Sequence, residues 1–178
     1  MYVHYIHESM TTYEISQQES RLLHVPIQEL AKRSTVSVDS VLQRHLMKKT
    51  EGFCDNYGYI VPGSVRLLDR QMGKLLSVDT ESLVEYRISY SFSAINPCPG
   101  DEYQVVIGSL TKAGILGYLK GYDDIEASPV LCMIPNKDVC MDGKDIASFK
   151  EGDTVSVSLL KSRIKYRGRQ IQVVAKLI

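Results

Sequence analysis

The chain has 178 residues, and its 21 Lys plus Arg side chains balance 21 Asp plus Glu side chains at zero formal charge. That balance excludes a protein that coats nucleic acid by charge alone, because counterion release needs many net-basic contacts. The 44% of hydrophobic residues supply a core for one ordinary domain or two small ones, while no apolar run reaches the ~18 residues of a membrane helix.

The N-terminal Met1 to Glu8 has no basic stretch followed by an apolar one, so an export signal is not expected. Glu19 to Val25 is short and partly apolar and predicts a strand. Pro26 suits the first position of a helical turn that runs to Leu30. Ser37 is the expected N-cap of the main helix, whose Val38, Val41, Leu42 and Leu46 fall on one face, leaving Gln43, Arg44, Lys48 and Lys49 to water. Gly52 is the expected stop. Strands are predicted over Tyr57 to Val61 and Ser64 to Leu68, separated by Pro62-Gly63, and Gly73 marks a turn. Leu83 to Ser93 is the most legible element. Val84, Tyr86, Ile88, Tyr90 and Phe92 lie on one side, and Glu85, Arg87, Ser89, Ser91 and Ser93 on the other, as one buried and one wet face require.

Asn96-Pro97-Cys98-Pro99-Gly100 can continue neither strand nor helix, so a domain boundary is placed there: residues 1–95, then 96–178. The second block is mostly strand: Glu102 to Leu110, a turn at Thr111 to Gly114, Ile115 to Leu119, an acidic loop, then Pro129 to Ile134. Asn136 to Glu151 is polar, with room for one helical turn. Thr154 to Tyr166 and Arg169 to Ile178 close the chain as a hairpin. Five strands with the longer gap after the third fit a five-stranded Greek-key barrel of the OB type, with another small barrel or sandwich as the alternative.

In Lys161-Ser162-Arg163-Ile164-Lys165-Tyr166-Arg167-Gly168-Arg169 every odd position is basic, and alternate strand residues share a face. With Arg167-Gly168 as a two-residue turn, Ile164, Tyr166, Ile171 and Val173 take the buried face, and Lys161, Arg163, Lys165, Gln170 and Gln172 the other. Such a row of cations and amides suits a phosphate backbone, and the turn between the last two strands is where OB barrels often touch oligonucleotides. A solvated ribbon that discourages edge-to-edge pairing has the same composition. Acids on the opposing side (Asp123, Asp124, Glu126, Asp138, Asp142, Asp145, Glu151 and Asp153) make the block dipolar or are ordinary loop chemistry. Tyr118 is the candidate stacking ring, with a core or rim tyrosine as the plainer fate.

No catalytic constellation stands out. His4, His7, His24 and His45 have no nucleophile in an elbow motif beside them, Gly114 to Gly117 lacks the lysine-serine pair that follows a phosphate loop, and Asp123-Asp124 has the chemistry to bind a metal, though in a loop such a pair is usually solvated charge. Cys54, Cys98, Cys132 and Cys140 form no C-x-x-C pair, so four free thiols are expected and no metal or cofactor.

Three stretches carry a family likeness. They are Leu22 to Pro26 with the helix and Glu51-Gly52-x-Cys54-x-x-Tyr57-Gly58-Tyr59-Ile60-Val61; the end of the long alternating strand; and Pro97-x-Pro99-Gly100-Asp101-Glu102, Val105-Val106 and Lys112-Ala113-Gly114-Ile115. Together they resemble the larger subunit of the RNA polymerase stalk, the seventh subunit of eukaryotic polymerase II and its archaeal counterpart. The likeness spans roughly residues 13–178 by order of elements, and its divergence resembles the polymerases of large DNA viruses. Residues 1–12 look like an extra segment.

The resemblance implies an α+β N-terminal tip domain of RNP-like fold, joined to an all-β OB-fold barrel of the ribosomal RNA-binding type. It implies a non-catalytic accessory subunit without a membrane anchor, either in the nucleus or cytoplasm or, in a viral system, in the virion. The tip would dock on the polymerase core near the clamp and a small common subunit, with Gly52, Tyr57, Gly58 and Tyr59 at the docking position. The plainer role of those four is turn-and-strand packing. A smaller stalk subunit would pack along both domains where one exists. The barrel would touch nascent single-stranded RNA through Lys161, Arg163, Lys165, Arg167, Arg169, Gln170, Gln172 and Tyr118. The alternatives are a free-standing OB RNA-binding protein and a module that binds only protein.

Overall fold

A computed structural model describes residues 14–31, 37–78, 81–139 and 148–178. It is mostly β, with few helices, and divides into two compact units. One holds Glu14–Gly52 and Ile60–Ala94; the other holds Phe53–Tyr59 and Ile95–Ile178. The units change over between Ala94 and Ile95, and Phe53–Tyr59, grouped by sequence with the first block, goes with the second. The reason is local: the backbone of Cys54 bonds to Arg167 and Gly168.

In the first unit, β1 (Glu14–Pro26) leads into a short α1 (Ile27–Ala31) and then α2 (Val38–Thr50). Ser37 caps α2 by accepting from the Ser40 amide at 3.3 Å. Val41, Leu42 and Leu46 are buried. They meet Leu23 and Val25 of β1 and Tyr86, Ile88, Tyr90 and Phe92 of β6 (Glu81–Ile95) in one core. The alternation read from sequence therefore points the expected side of β6 inward. β4 (Arg66–Arg70) and β5 (Lys74–Val78) both pair antiparallel with β6; β5 has no counterpart in the sequence reading. Gln43 is a correction, because it does not face water. Its amide donates to Val65 O and accepts from Leu67 N–H, both at 2.7 Å. A side chain at the margin of the apolar face can turn to bond backbone groups beside it, here the Leu67 N–H and, together with the Arg66 guanidinium, Val65 O.

The second unit begins with a hairpin of β2 (Cys54–Asp55) and β3 (Gly58–Ile60), of which residues through Tyr59 belong to it. The rest is a closed barrel of β7 (Glu102–Thr111), β8 (Gly114–Leu119), β9 (Val130–Pro135), β10 (Thr154–Arg163) and β11 (Ile171–Leu177), with α3 (Asn136–Val139) after β9. The strands close in the order β10-β11-β9-β8-β7. Only the β9–β11 pair is parallel. This is consistent with an OB-like barrel. Its lining follows the period of two: Val105 and Ile107, Ile115, Cys132 and Ile134, Val157 and Leu159, and Ile171 and Val173 are all buried. Inward apolar side chains each contribute on the order of 1.5–3 kcal/mol when removed from water, which fixes the register of every strand and hence the outward face.

Candidate nucleic-acid interface

β10 ends at Arg163 and β11 starts at Ile171, so residues 164–170 form an open connection rather than a two-residue turn. The expected pairs Arg163↔Gln172 and Ser162↔Val173 are present, with a register shift between Leu159 and Lys161 further along. Beyond Arg163 the expected pairing stops. A two-residue hairpin turn of the favoured kind wants positive φ at both central residues or a leading glycine, and Arg167-Gly168 offers neither. Among the described non-glycine residues Arg167 alone takes positive φ, at 58°. The bend closes instead through Gly168 N–H donating to Lys165 O at 2.7 Å.

Three placements differ from the sequence reading as a result. Tyr166, assigned to the buried face, is 58% exposed. Ile164 is half-buried, while Ile171 and Val173 are buried as expected. Gln170 is half-buried, and its amide nitrogen donates to Ile125 O and, at 3.0 Å, to Ser128 O. It ties the connection to the loop before β9 rather than facing outward. Lys161, Arg163, Lys165, Arg167, Arg169 and Gln172 are exposed. None of the five cations forms an ion pair with a described residue. The connection thus exposes Lys165, Tyr166, Arg167 and Arg169 together, continuing from Lys161 and Arg163. Sequence reasoning missed Tyr166; the signal for it was the absence of any good tight-turn pair.

Tyr118 sits elsewhere on the outer surface. Ladder pairs run Tyr118↔Leu131, Leu131↔Gln172 and Gln172↔Arg163, which puts it two strands from Gln172 and three from Arg163. It is half-buried, and its hydroxyl donates to Asp123 O at 3.4 Å. It lines a hollow of about 430 Å³ with Gly108, Ile125, Asp124, Glu126 and Glu151. Carboxylates around a ring oppose a phosphate there.

The four residues expected at the docking position separate. Gly52, with φ 75°, ends α2 in the first unit, and its N–H donates to Ile60 O at 3.0 Å. Tyr57, Gly58 and Tyr59 belong to the second. Gly58 has φ 123°, and a Cβ there would stand 2.2 Å from Ile95 O, so only glycine fits. Tyr57 is 38% exposed. Burial raises the Tyr59 phenol above its ordinary range, with Tyr122 and Cys54 adding to it. Burial likewise pushes the thiols of Cys54 up to about 11 and of Cys132 up to about 12.

Among the described residues, no group of three or more His, Cys, Asp and Glu side chains is placed to hold a metal. No described helix is long and apolar enough to cross a membrane. His4, His7, Cys140, Asp142 and Asp145 lie outside the described residues, as does the extra segment 1–12. No family model matches the chain, and no curated protein matches it. Among solved structures it is similar to the uncharacterized protein MJ1198 from Methanocaldococcus jannaschii, with 18% identity and a TM-score of 0.35, over 47% of this chain and 96% of that one.

Proposed function

We propose that this chain is a non-catalytic stalk subunit of a multisubunit DNA-dependent RNA polymerase, and that its barrel contacts nascent single-stranded RNA. The observation that carries the reading is the connection between the last two barrel strands, where Tyr166 is exposed and the exposed cations next to it in the chain have no ion-pair partner among the described residues. Cations that track phosphates beside a ring on which a base stacks are the elements of sequence-tolerant single-strand binding. The finer fold assignment goes with it: an RNP-like tip for the helix-bearing unit and an OB fold for the barrel. Tyr57 and Tyr59 are the docking side chains, whereas Gly52 and Gly58 are there for backbone geometry. Tyr118 falls outside the RNA path because of the carboxylates around it. The zero net charge supports an assembled rather than a free binder. Once protein contacts tether the barrel, RNA meets it at high effective concentration and a small cationic surface is enough.

Affinity purification of the tagged chain from its source tests the assignment. Recovery of the two large polymerase subunits is expected; recovery of the chain alone, or with ribosomal proteins only, would overturn it.

A further inference from the structure

Within the barrel unit, one short piece of chain from far upstream holds the cationic connection in place. Cys54 commits both of its backbone polar groups to it: its N–H donates to Gly168 O at 2.7 Å, and its carbonyl accepts from Arg167 N–H at 2.8 Å. On its other side Cys54 pairs with Tyr59, and Asp55 with Gly58. A single buried residue is therefore bonded to the connection and laddered to the hairpin that carries Tyr57 and Tyr59. The connection needs such a hold, because Arg167 sits at φ 58°, a conformation unfavourable for a side chain of its kind and maintained where surroundings over-determine it.

We propose that Cys54 is a positioning residue for RNA. Its backbone fixes Tyr166, Arg167 and Arg169 in the arrangement that meets single-stranded RNA, so that protein engagement of the Tyr57–Tyr59 hairpin and RNA engagement of the connection are linked. This rests on the RNA contact and hairpin docking proposed above. The two states are the connection laid against Cys54 and the connection released from it. A ligand that prefers the first state strengthens the other ligand's binding by the same factor, since linkage is reciprocal.

The test uses the whole chain and a dodecamer of uridylate at low salt. In the wild type, RNA is expected to slow hydrogen exchange of the Cys54 and Arg167 amides at least threefold. Cys54→Pro removes the N–H that reaches Gly168, while Cys54→Ala keeps both backbone bonds. The proline variant should bind at least fivefold more weakly, with a shallower dependence of log K on log salt, and the alanine variant should bind as the wild type does. Partial unfolding alone would lower the affinity without changing that slope.

A folded proline variant with wild-type affinity and slope would overturn the proposal. So would bound RNA that leaves both amides exchanging at their free rates. If Cys54→Pro does not fold, the wild-type exchange result decides by itself. If the wild type binds no RNA, the RNA reading falls and the linkage with it. The positioning role is then still read separately: exchange at Arg167 as fast in the wild type as in an unstructured peptide would refute it.

Discussion

Tyr166 and Tyr118 are two tyrosines on one barrel with opposite electrostatic settings. Tyr166 is flanked in the chain by the exposed Lys165, Arg167 and Arg169, and Tyr118 lines a hollow with Asp124, Glu126 and Glu151. Base stacking on an aromatic ring contributes ~1–3 kcal/mol per base. Tyr166→Ala should therefore weaken binding of a short single-stranded RNA by roughly fivefold or more, measured by fluorescence anisotropy, and Tyr118→Ala should leave it within twofold. The reverse ranking would move the RNA path to the acidic side. The thiols give an independent check on the core. An unfolded cysteine ionises near ~8.5, whereas Cys54 and Cys132 hold their protons to about 11 and about 12 because burial disfavours the thiolate. Their raised values mean that the unfolded chain loses these protons first. The associated stability is complete below about pH 8.5 and is lost as pH rises through the folded values. Urea midpoints should fall between pH 9 and 11, and the fall should be shallower in Cys54→Ala than in the wild type; equal slopes would contradict the burial account. Among the described cysteines only Cys98 is exposed, so it should be alkylated first in the native state.

At the scale of elements, α2 is held at both margins by small polar devices. Ser37→Ala removes the cap and should lower stability by ~1 kcal/mol. Gln43→Leu leaves Leu67 N–H without its side-chain acceptor, while Val65 O keeps the Arg66 guanidinium at 3.1 Å, and should lower it by ~1–3 kcal/mol. Chemical denaturation measures both, and a Gln43 variant as stable as wild type would show that water replaces the amide. These two residues also mark where sequence was and was not legible. Ser37 announced itself because a cap is a local event that residue type and spacing determine. Gln43 did not, because its partners lie more than twenty residues away on β4 and just before it. The same division runs through the barrel. The strands of the second block were legible because an apolar lining imposes a period of two. The connection from Ile164 to Gln170 was not, because its shape depends on Cys54 and on the carbonyls of Ile125 and Ser128, all distant in sequence. β5 escaped notice because Leu75 is 66% exposed and the alternation that identifies a half-buried strand is missing.

For the molecule as a whole, a neutral chain presents its charge unevenly. Exposed cations collect on the β10–β11 connection, and carboxylates gather around Tyr118. Reversing Lys161, Arg163 and Lys165 together to Glu leaves the buried lining untouched. The barrel should keep its thermal transition and its protein associations while losing RNA, and the log K against log salt slope should fall by about 0.7 per phosphate contact removed. The most direct measurement is photocrosslinking of 4-thiouridine-labelled RNA to the assembled protein, with the attachment sites mapped by mass spectrometry. Crosslinks confined to peptides spanning residues 161–169, and lost in the triple variant, are predicted. Crosslinks centred on Tyr118 and the acidic loop, or undiminished in the triple variant, would contradict the cationic connection as the RNA surface.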